Sequence, residues 1–417
     1  MKTEDGFRLD VRLDKTTTES RPVGQLLETR GRLFFEYAPE FLANPIWLSP
    51  FKLPPKPGAI EHRDRQFGPI FGLFDESLPD GWGLLLMDRY FQQLGRRPRD
   101  IGVLERLAYL GSRTMGALTY HPPKEAARRD PDLLELAALA EASGEVLRGD
   151  TQVVLPQLLR AGGSPGGARP KVLVGIRGDE IYSGEGDLPL DFEPWIIKFR
   201  GLNDPRDAGA LELAYARLAE RAGLRMPETR LFSDKDGERY FGIRRFDRRD
   251  GRRRHVQTFG NLIHANFRVP SCDYSQLLDV TRRLTQRQED GAECFRRMIF
   301  NVATHNRDDH VKNFAFLIDD QGQWRLTPAY DLTFADGPGG EHSTTVAGEG
   351  RNPGRRDALK LAAAAGLSTR AAKEIIDEVV ESVGELDALA RELDVDAEVR
   401  REVRRGTEAC RARLAGS

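Results

Sequence analysis

The chain has 417 residues, of which 39% are hydrophobic and 31% are charged. That length exceeds one average domain, so we expect two or three folding units. A formal net charge of −2 provides no global field that would draw the protein to nucleic acid or membranes, so local patches must carry any such affinity.

Cysteine content and hydropathy narrow the class of protein further. The three cysteines, Cys272, Cys294 and Cys410, lie far apart, which excludes a disulfide framework and offers no paired metal-ligand spacing. The charged N-terminus lacks the apolar core of a signal peptide. No run of about eighteen apolar residues predicts a membrane helix. We therefore expect no membrane partner and a cytoplasmic location.

Residues 1–125 show the pattern of mixed strands and turns. A strand is predicted at 32–38, and a helix is predicted to begin near Asp80, which can cap it. Leucines and alanines at three- and four-residue spacing predict another helix at 130–147. A glycine-rich turn follows at 161–171.

The middle of the chain alternates strands and helices. The β-branched residues of 194–199 predict a strand, and an amphipathic pattern predicts a helix at 208–222 that ends at Gly223. Residues 230–246 predict a hairpin turning at Asp236-Gly237. Beyond about residue 255 the pattern is mainly helical. The order of elements is thus a glycine-rich turn, a strand that contains a lysine, a helix and a hairpin, followed by a mainly helical half. A two-lobed kinase has its elements in this order.

The strongest chemical signal is the segment 295–317. Phe295, Met298, Ile299 and Val302 predict a helical core stripe, and NRDDHVKN follows it. Four residues separate Asp308 from Asn313, the interval of the kinase catalytic loop. Such a loop can aim one carboxylate at a substrate hydroxyl and one amide oxygen at a metal bound to ATP.

A second metal ligand is predicted at the end of a hairpin. Residues 313–318, a turn at 319–322 and residues 323–332 form that pattern, which places Asp331 at its far end. Mg²⁺ prefers oxygen ligands and often uses only one or two carboxylates together with phosphates. Asn313 and Asp331 would suffice.

Several residues of the loop allow two interpretations. Asp and Asn clusters are also common turn formers. Asp309 is interpreted as a solvated neighbour, although a swap of roles with Asp308 stays open. His310 contacts phosphate or holds the loop, and the second role is favoured slightly. Lys312 neutralises the transferred phosphoryl group or is a surface charge.

Lys198 is the candidate for contacting ATP from a strand. An ammonium group within the apolar run WIIKF is costly unless it is paired. A triphosphate and Glu212 on the next helix would pair it. The competing interpretation is an edge strand with a solvated lysine.

The glycine-rich turn AGGSPGGARPK can cradle phosphates with backbone N–H groups, because glycines let the chain approach closely. It is not a Walker A sequence, since no G-K-[ST] closes it, and glycine-rich turns are usually only turns. Ser164 places a hydroxyl beside this candidate phosphate site.

Two further segments carry open alternatives. Residues 244–255 contain seven arginines and two aspartates, which indicates a solvated face or an electrostatic footprint for an acidic partner. The glycine-rich segment 337–353 suits an activation segment or a substrate loop.

With these motifs in their order, the sequence resembles the HipA family, the kinase toxins of bacterial type II toxin–antitoxin systems. Residues 74–90 look like the family's N-terminal signature, and SPGGARPK looks like its glycine loop. IIKF looks like its lysine strand and RRFDR like its hinge. NRDDHVKN and PAYDL look like its catalytic and metal motifs.

The resemblance implies a role for each matching residue. Asp308 would be the proton acceptor, and Lys198 would contact phosphate. The catalytic candidates are therefore Asp308, Lys198 and His310. Asn313 and Asp331 would hold Mg²⁺. Ser164 would be the autophosphorylated serine whose modification ejects the loop. The remaining candidates for contacts to ATP are Pro165, Gly166, Gly167, Ala168, Arg169, Arg244, Phe246 and Lys312.

The resemblance also implies an architecture and partners. The expected fold is α+β, two-lobed and protein-kinase-like, with an extra N-terminal α/β subdomain (1–125), an N-lobe-like region (126–250) and a mainly helical C-lobe (251–417). Family substrates are aminoacyl-tRNA synthetases, and the family partner is a small DNA-binding HipB-like antitoxin, through which alone DNA would be contacted. Arg244, Pro165 and the additional glycines depart from the family pattern and indicate a divergent branch.

Two other classes of function compete with an ATP- and Mg²⁺-dependent serine/threonine kinase. The first is a catalytically weak kinase-fold module that acts as partner or corepressor of a DNA-binding antitoxin. It is disfavoured because Lys198, Asp308, Asn313 and Asp331 are all present. The second is a metal-dependent phosphoesterase, which would need further His or Asp ligands at binuclear spacing. The sequence names neither the protein substrate nor the oligomeric state.

Overall fold

The structure, a computed structural model, describes residues 2–3, 6–123, 133–149, 158 and 166–416. Helices and mostly antiparallel sheets confirm the α+β class. The chain divides into two compact units, and the three-part division expected from the sequence stays a prediction. The first unit comprises Met1–Asp204, Ser233–Gln257 and Asn261–His264, and the second comprises Pro205–Phe232, Thr258–Gly260 and Ala265–Ser417.

The first unit begins with a six-stranded antiparallel sheet. Alternate side chains of Gly6–Asp14 are buried, including Leu9, Val11 and Leu13, as expected when one face of a sheet covers a core. The strand predicted at 32–38 is confirmed as Arg32–Tyr37. The strands in spatial order are Lys2–Thr3, Gly6–Asp14, Ser20–Thr29, Arg32–Tyr37 and Ile60–Glu61, with Leu118–His121 paired to Gly6–Asp14.

The predicted helix after Asp80 is confirmed, but the predicted cap is wrong. The helix spans Gly81–Gln93, and the Asp80 side chain makes no capping hydrogen bond. Its carboxylate instead accepts a hydrogen bond from the Gly167 backbone N–H. Helices and 3-10 turns of this unit are Pro39–Leu42, Gly72–Asp75, Gly81–Gln93, Pro98–Asp100, Val103–Leu110 and Leu136–Arg148.

A second sheet carries the lysine strand, Glu193–Lys198, which confirms the strand predicted at 194–199. Trp195 and Ile197 are fully buried in it. The predicted hairpin is also confirmed, with a turn in which Gly237 adopts φ +77°. The paired strands in order are Arg239–Arg244, Glu193–Lys198, Lys171–Arg177 and Glu180–Ser183, and Thr229–Ser233 precedes the turn.

Part of the arginine cluster at 244–255 forms an internal ion-pair network. Arg245 and Arg248 donate to Asp247 Oδ2 at 2.8 and 2.7 Å, and Arg253 Nε donates to Asp187 Oδ1 at 2.6 Å. The side chains of Arg245 and Asp247 are 2% and 1% exposed. For Arg245, Arg248 and Arg253 both sequence interpretations, a solvated face and a footprint for an acidic partner, are wrong, because these guanidinium groups are buried or nearly so and pair with carboxylates of the chain itself.

Asp247 gives this network a pH dependence. Burial raises the pKa of its carboxyl, but Arg245 and Arg248 outweigh burial, so the pKa lies well below its usual range. A folded pKa below the unfolded value of about 3.9 means that the carboxylate stabilises the fold above about pH 4 and loses this effect as pH falls.

We therefore expect the Asp247→Ala variant to unfold more easily at pH 7, by about 3–5 kcal/mol. The stability of the wild type should then approach that of the variant as the solution is acidified below about pH 4. Thermal denaturation followed from pH 7 to pH 3 measures both effects. Parallel curves for the two proteins across this range would contradict the assignment.

The second unit is mainly helical, as predicted. Its first helix, Ala208–Arg221, ends before Gly223, which has φ +78°. Among the described residues, no helix is both long and apolar enough to cross a membrane. The other helices and turns are Tyr274–Thr285, Gln288–Ala303, Pro338–Gly340, Arg355–Lys360, Thr369–Val383, Leu386–Glu392 and Ala397–Ala415.

A few short strands complete the chain. Ala315–Ile318 and Trp324–Leu326 form an antiparallel hairpin, and Gly322 in its turn has φ +76°, which confirms the predicted hairpin before Asp331. The remaining elements are the strands Arg248–Arg249, Arg252–Arg253, Val256–Thr258, Cys272–Asp273 and Thr344–Thr345 and the helix Phe259–Ile263.

Candidate active site

The helix Gln288–Ala303 leads into the candidate catalytic loop, which we define as residues 306–313. Phe295, Met298 and Ile299 on this helix are fully buried, so the predicted core stripe is confirmed. The helix ends at Ala303, Thr304 is its C-cap, and His305 adopts φ +57°. A packed helix and a sharp change of backbone direction thus fix the point where the catalytic loop begins.

Two hydrogen bonds close the catalytic loop on itself. Asn313 Nδ2 donates to the Asp308 carbonyl at 2.7 Å, and the Asn313 N–H donates to the His310 carbonyl at 2.8 Å. The first bond fixes the orientation of the amide, so its oxygen is the atom that can bind a metal. The Asp308 side chain is exposed.

The structure brings the segment around Asp331 next to this loop. Tyr330 OH donates to the Lys312 carbonyl at 2.7 Å, and the Arg307 N–H donates to the Ala335 carbonyl at 3.0 Å. Asp331 itself adopts the left-handed conformation, φ +58°, which is uncommon outside glycine. Hydrogen bonds on both sides of Asp331 therefore join its turn to both ends of the catalytic loop.

Asp309 is not the solvated neighbour that the sequence suggested. It is 1% exposed, and its Oδ2 accepts from Tyr274 OH and from His342 Nδ1, each at 2.8 Å. Burial raises the pKa of Tyr274 well above its usual value, and the negative charge of Asp309 is the second cause. The phenol therefore stays protonated and remains a donor. The Thr344 N–H approaches Asp309 Oδ1 at 3.3 Å.

The Asp309 cluster continues into the core through two asparagines. Asn301 Nδ2 donates to Tyr274 OH at 3.0 Å, and Asn306 Nδ2 donates to Asn301 Oδ1 at 3.0 Å. These buried hydrogen bonds restrict the arrangement of the side chains from Asp309 to Asn306. Sequence reasoning did not find Tyr274, Asn301 or His342, because none of them lies in a recognisable motif.

Removing the Asp309 carboxylate is expected to destabilise the fold by several kcal/mol. In Asp309→Ala, Tyr274 and His342 would each lose a buried acceptor, at about 1–3 kcal/mol per group. Asp308→Ala is the matched control, since that neighbouring carboxylate is exposed and its loss should change stability by no more than about 0.5 kcal/mol. Urea denaturation measures both, and equal stabilities would contradict the network.

The structure supports the loop-holding interpretation of His310. Its Nδ1 accepts from the Lys312 N–H at 3.2 Å, so the proton of the neutral ring lies on Nε2. The Phe267 ring lies 5.6 Å from the His310 ring and 4.7 Å from Lys312 Nζ. Phe267 therefore lies beside both side chains, while their contact with phosphate stays a prediction.

The candidate nucleotide residues of the first unit lie on the glycine-rich loop and the lysine strand. Ser164 and Pro165 lie outside the described residues. Arg169 forms an ion pair with Asp204 at 3.1 Å, and Lys198 Nζ lies 5.6 Å from the Phe241 ring centroid. Lys198 and Glu212 belong to different units, so their pairing stays a prediction.

The predicted hinge residues are Arg244, at the end of the strand Arg239–Arg244, and Phe246 just after it. Arg244 lies 3.4 Å from Glu193 as an ion pair, and its side chain is 43% exposed. Their contact with adenine stays a prediction.

The segment 337–353 is tied down at several points in the second unit. Arg307 donates to the Gly340 carbonyl at 2.6 Å and to the Arg351 carbonyl at 3.1 Å. Asp273 Oδ2 accepts from the Gly348 N–H at 2.8 Å. These bonds connect the segment to the catalytic loop through Arg307.

Within the part of the chain that the structure describes, no three or more His, Cys, Asp or Glu side chains gather as a metal site. Asn313 and Asp331 supply an amide oxygen and a carboxylate, which match the hard oxygen ligands of Mg²⁺ when phosphate completes the shell.

Comparison with known proteins places these features in a family context. A model of the HipA N-terminal domain matches residues 14–121, and one of the HipA-like C-terminal domain matches residues 163–386, more than half of the chain. A Sinorhizobium fredii (strain NBRC 101917 / NGR234) protein named "Putative kinase Y4mE" is 28% identical over 355 residues, covering 78% of this chain and 77% of that protein.

A solved structure resembles the whole chain. It is a complex of the Shewanella oneidensis MR-1 toxin–antitoxin system, with HipA, HipB and operator DNA, and its matching chain gives a TM-score of 0.71 at 17% identity. The match covers 97% of this chain and 96% of that one. It confirms the predicted kinase-like fold.

Proposed function

Because this chain belongs to the HipA family, we propose that it is an ATP- and Mg²⁺-dependent serine/threonine protein kinase. The observation that carries the proposal is the bonding of the Asp331 turn to both ends of the catalytic loop. That arrangement gathers one exposed carboxylate and two oxygen ligands on adjoining backbone. The relative named as a kinase supports the same class of activity.

Asp308 is the proposed catalytic base. It orients the acceptor hydroxyl of the substrate and accepts its proton, as the corresponding aspartate of a kinase catalytic loop does. The buried bonds of Asp309 favour this assignment over the swapped one, because the Asp309 carboxylate is engaged by Tyr274 and His342.

Asn313 and Asp331 are the proposed Mg²⁺ ligands. The bond from Asn313 Nδ2 to the Asp308 backbone carbonyl fixes the orientation of the amide and leaves its oxygen for the metal. Bound Mg²⁺ would neutralise charge on the phosphate oxygens of ATP. His310, with its proton on Nε2, and Lys312 are proposed as donors to the transferred phosphoryl group.

The first unit supplies the remaining contacts to ATP in this proposal. Gly166, Gly167, Ala168 and Arg169 cover the phosphates, and Lys198 contacts them. Lys198 lies directly opposite Lys171, at the end of the glycine-rich loop, in an antiparallel strand pair, which supports a shared role of loop and lysine strand. Arg244 and Phe246 are proposed to border the adenine.

For partners, we propose a HipB-like antitoxin, with DNA contacted only through it. This rests on family membership and on the HipA–HipB–DNA complex that shares the fold. The proposed substrate class is an aminoacyl-tRNA synthetase or another protein of translation. Incubation with ATP, Mg²⁺ and a panel of synthetases, followed by mass spectrometry, tests this substrate class. If the kinase is active but no synthetase in the panel carries phosphate, that substrate class is rejected.

Ser164 is expected to be phosphorylated by the enzyme itself, and this modification is expected to lower activity. A phosphoserine adds roughly −1.5 to −2 charges, which would repel the ATP phosphates and compete for the loop's N–H donors. Mass spectrometry of wild-type and Asp308→Asn protein should find phosphate on Ser164 in the wild type only. Its absence from both, or full activity of the phosphorylated form, would reject this switch.

A further inference from the structure

Three consecutive residues at the start of the helix Gly81–Gln93 contact the glycine-rich loop, and we call Asp80, Gly81 and Trp82 the DGW turn. The Asp80 carboxylate accepts from the Gly167 N–H. The Trp82 N–H donates to the Gly167 carbonyl at 3.1 Å. Both backbone groups of Gly167 are therefore bonded to the DGW turn, and all of these residues belong to the first unit.

The DGW turn also holds the end of the loop that enters the sheet. Trp82 is 1% exposed, and its Nε1 donates to the Lys171 carbonyl at 3.1 Å. Lys171 Nζ in turn donates to the Gly166 carbonyl. The five residues 167–171 are thus bonded to the DGW turn at both ends.

The approach of the two segments requires glycine on each side. Gly81 has φ +43°, and a Cβ atom there would lie 2.6 Å from the Gly167 oxygen and 2.8 Å from the Ala168 Cα. Gly167 has φ +102°, a conformation that L side chains rarely adopt. A side chain at position 81 would displace the loop backbone.

The same residues connect the loop to the strand of Lys198. Lys171 pairs with Lys198 across the sheet, and the Phe199 N–H donates to the Pro170 carbonyl at 2.8 Å. A shift of 167–171 would therefore also disturb the end of the lysine strand. Loop and lysine are positioned by one continuous set of contacts.

We propose that the DGW turn positions the glycine-rich loop for the nucleotide phosphates, with Asp80 as a positioning residue. The inference rests on the proposed function, since the loop must bind ATP. A loop of glycines loses much conformational freedom when it binds a ligand, and holding it in place beforehand reduces that cost. The N-terminal signature of the chain thereby acquires a role in nucleotide binding.

The test compares variants of the full-length protein. Asp80→Ala removes the acceptor of the Gly167 N–H, whereas Asp80→Asn keeps an acceptor oxygen. Asp88→Ala is the matched control, because Asp88 lies on the same helix and pairs with Arg106 at 2.6 Å, away from the loop. The measurements are KM for ATP, kcat at saturating ATP, and hydrogen–deuterium exchange of peptides covering 166–171.

Asp80→Ala should raise KM for ATP by about 10- to 100-fold, because that is the effect expected from the loss of one charge-assisted hydrogen bond. Its kcat should change much less, and exchange in 166–171 should become faster. Asp80→Asn should recover part of both effects, and Asp88→Ala should show neither. The role of the DGW turn would be overturned if Asp80→Ala had a lower KM for ATP than the wild type. It would also be overturned if the wild type were active and Asp80→Ala had the same KM for ATP and the same exchange in 166–171. A wild type without phosphoryl transfer would instead overturn the proposed function.

Discussion

Replacing Asp308 by asparagine is expected to lower the rate of phosphoryl transfer by about 10²- to 10⁴-fold, the usual contribution of a general base. ATP affinity should stay nearly unchanged, because the base orients the acceptor hydroxyl and does not hold the nucleotide. The Asp308 side chain is exposed, so the variant should also keep its melting temperature. Single-turnover kinetics and calorimetric ATP binding measure the two quantities.

Asp309→Asn is the informative comparison for this prediction. That carboxylate accepts hydrogen bonds from Tyr274 and His342 in the core, so any loss of activity should come with a lower melting temperature. If Asp309→Asn were inactive but as stable as the wild type, and Asp308→Asn were active, the roles of the two aspartates would be exchanged.

Asp331→Asn is expected to weaken ATP binding in the presence of Mg²⁺ by at least about tenfold, the lower end of losses caused by disturbing a metal site. Without Mg²⁺ the variant and the wild type should bind ATP with similar affinity. Two protein ligands grip this metal only together with phosphate oxygens, so nucleotide and metal binding should fall together. Isothermal titration with and without Mg²⁺ measures the difference.

Asp320→Asn serves as the control for Asp331. Asp320 is exposed on the turn of the same hairpin, so the substitution removes one negative charge without touching the proposed ligands. Asp320→Asn should bind ATP like the wild type. The assignment of the metal ligands would be contradicted if the wild type bound ATP equally well with and without Mg²⁺ and Asp331→Asn bound ATP with the same affinity.

The parts of the site that the sequence predicted are those with a local signal. The core stripe before the catalytic loop repeats at helical spacing, and the hairpin before Asp331 has its turn residues in place. Both are confirmed. Asp308 and Asn313 are five positions apart in the chain and bonded in the structure.

Burial of charged groups could not be predicted in the same way. Asp309 looks identical to Asp308 in the sequence, yet its partners Tyr274 and His342 lie 35 and 33 residues away. Asp80 has the sequence of a helix cap, but its hydrogen-bond donor is 87 residues distant. Contacts over such separations depend on the tertiary fold, and no spacing rule for one helix or one turn contains them.

Burial of arginines in the cluster 244–255 could not be predicted from the sequence either. A run of arginines is usually solvated, and nothing local indicates that Asp247 is buried beside it or that Asp187 pairs with it. The structure turns part of this run into an internal network. The remaining exposed arginines carry correspondingly less of the charge that a nucleic-acid partner would require.

Transfer of phosphate from ATP to protein by this chain can be measured with γ-labelled ATP. Wild-type protein and Asp308→Asn are incubated with labelled ATP and a synthetase panel, with Mg²⁺ or with EDTA, and protein-bound label is counted. We predict label on protein only for the wild type with Mg²⁺. No label in that sample would contradict the proposed kinase activity, and equal label in Asp308→Asn would contradict Asp308 as its catalytic base.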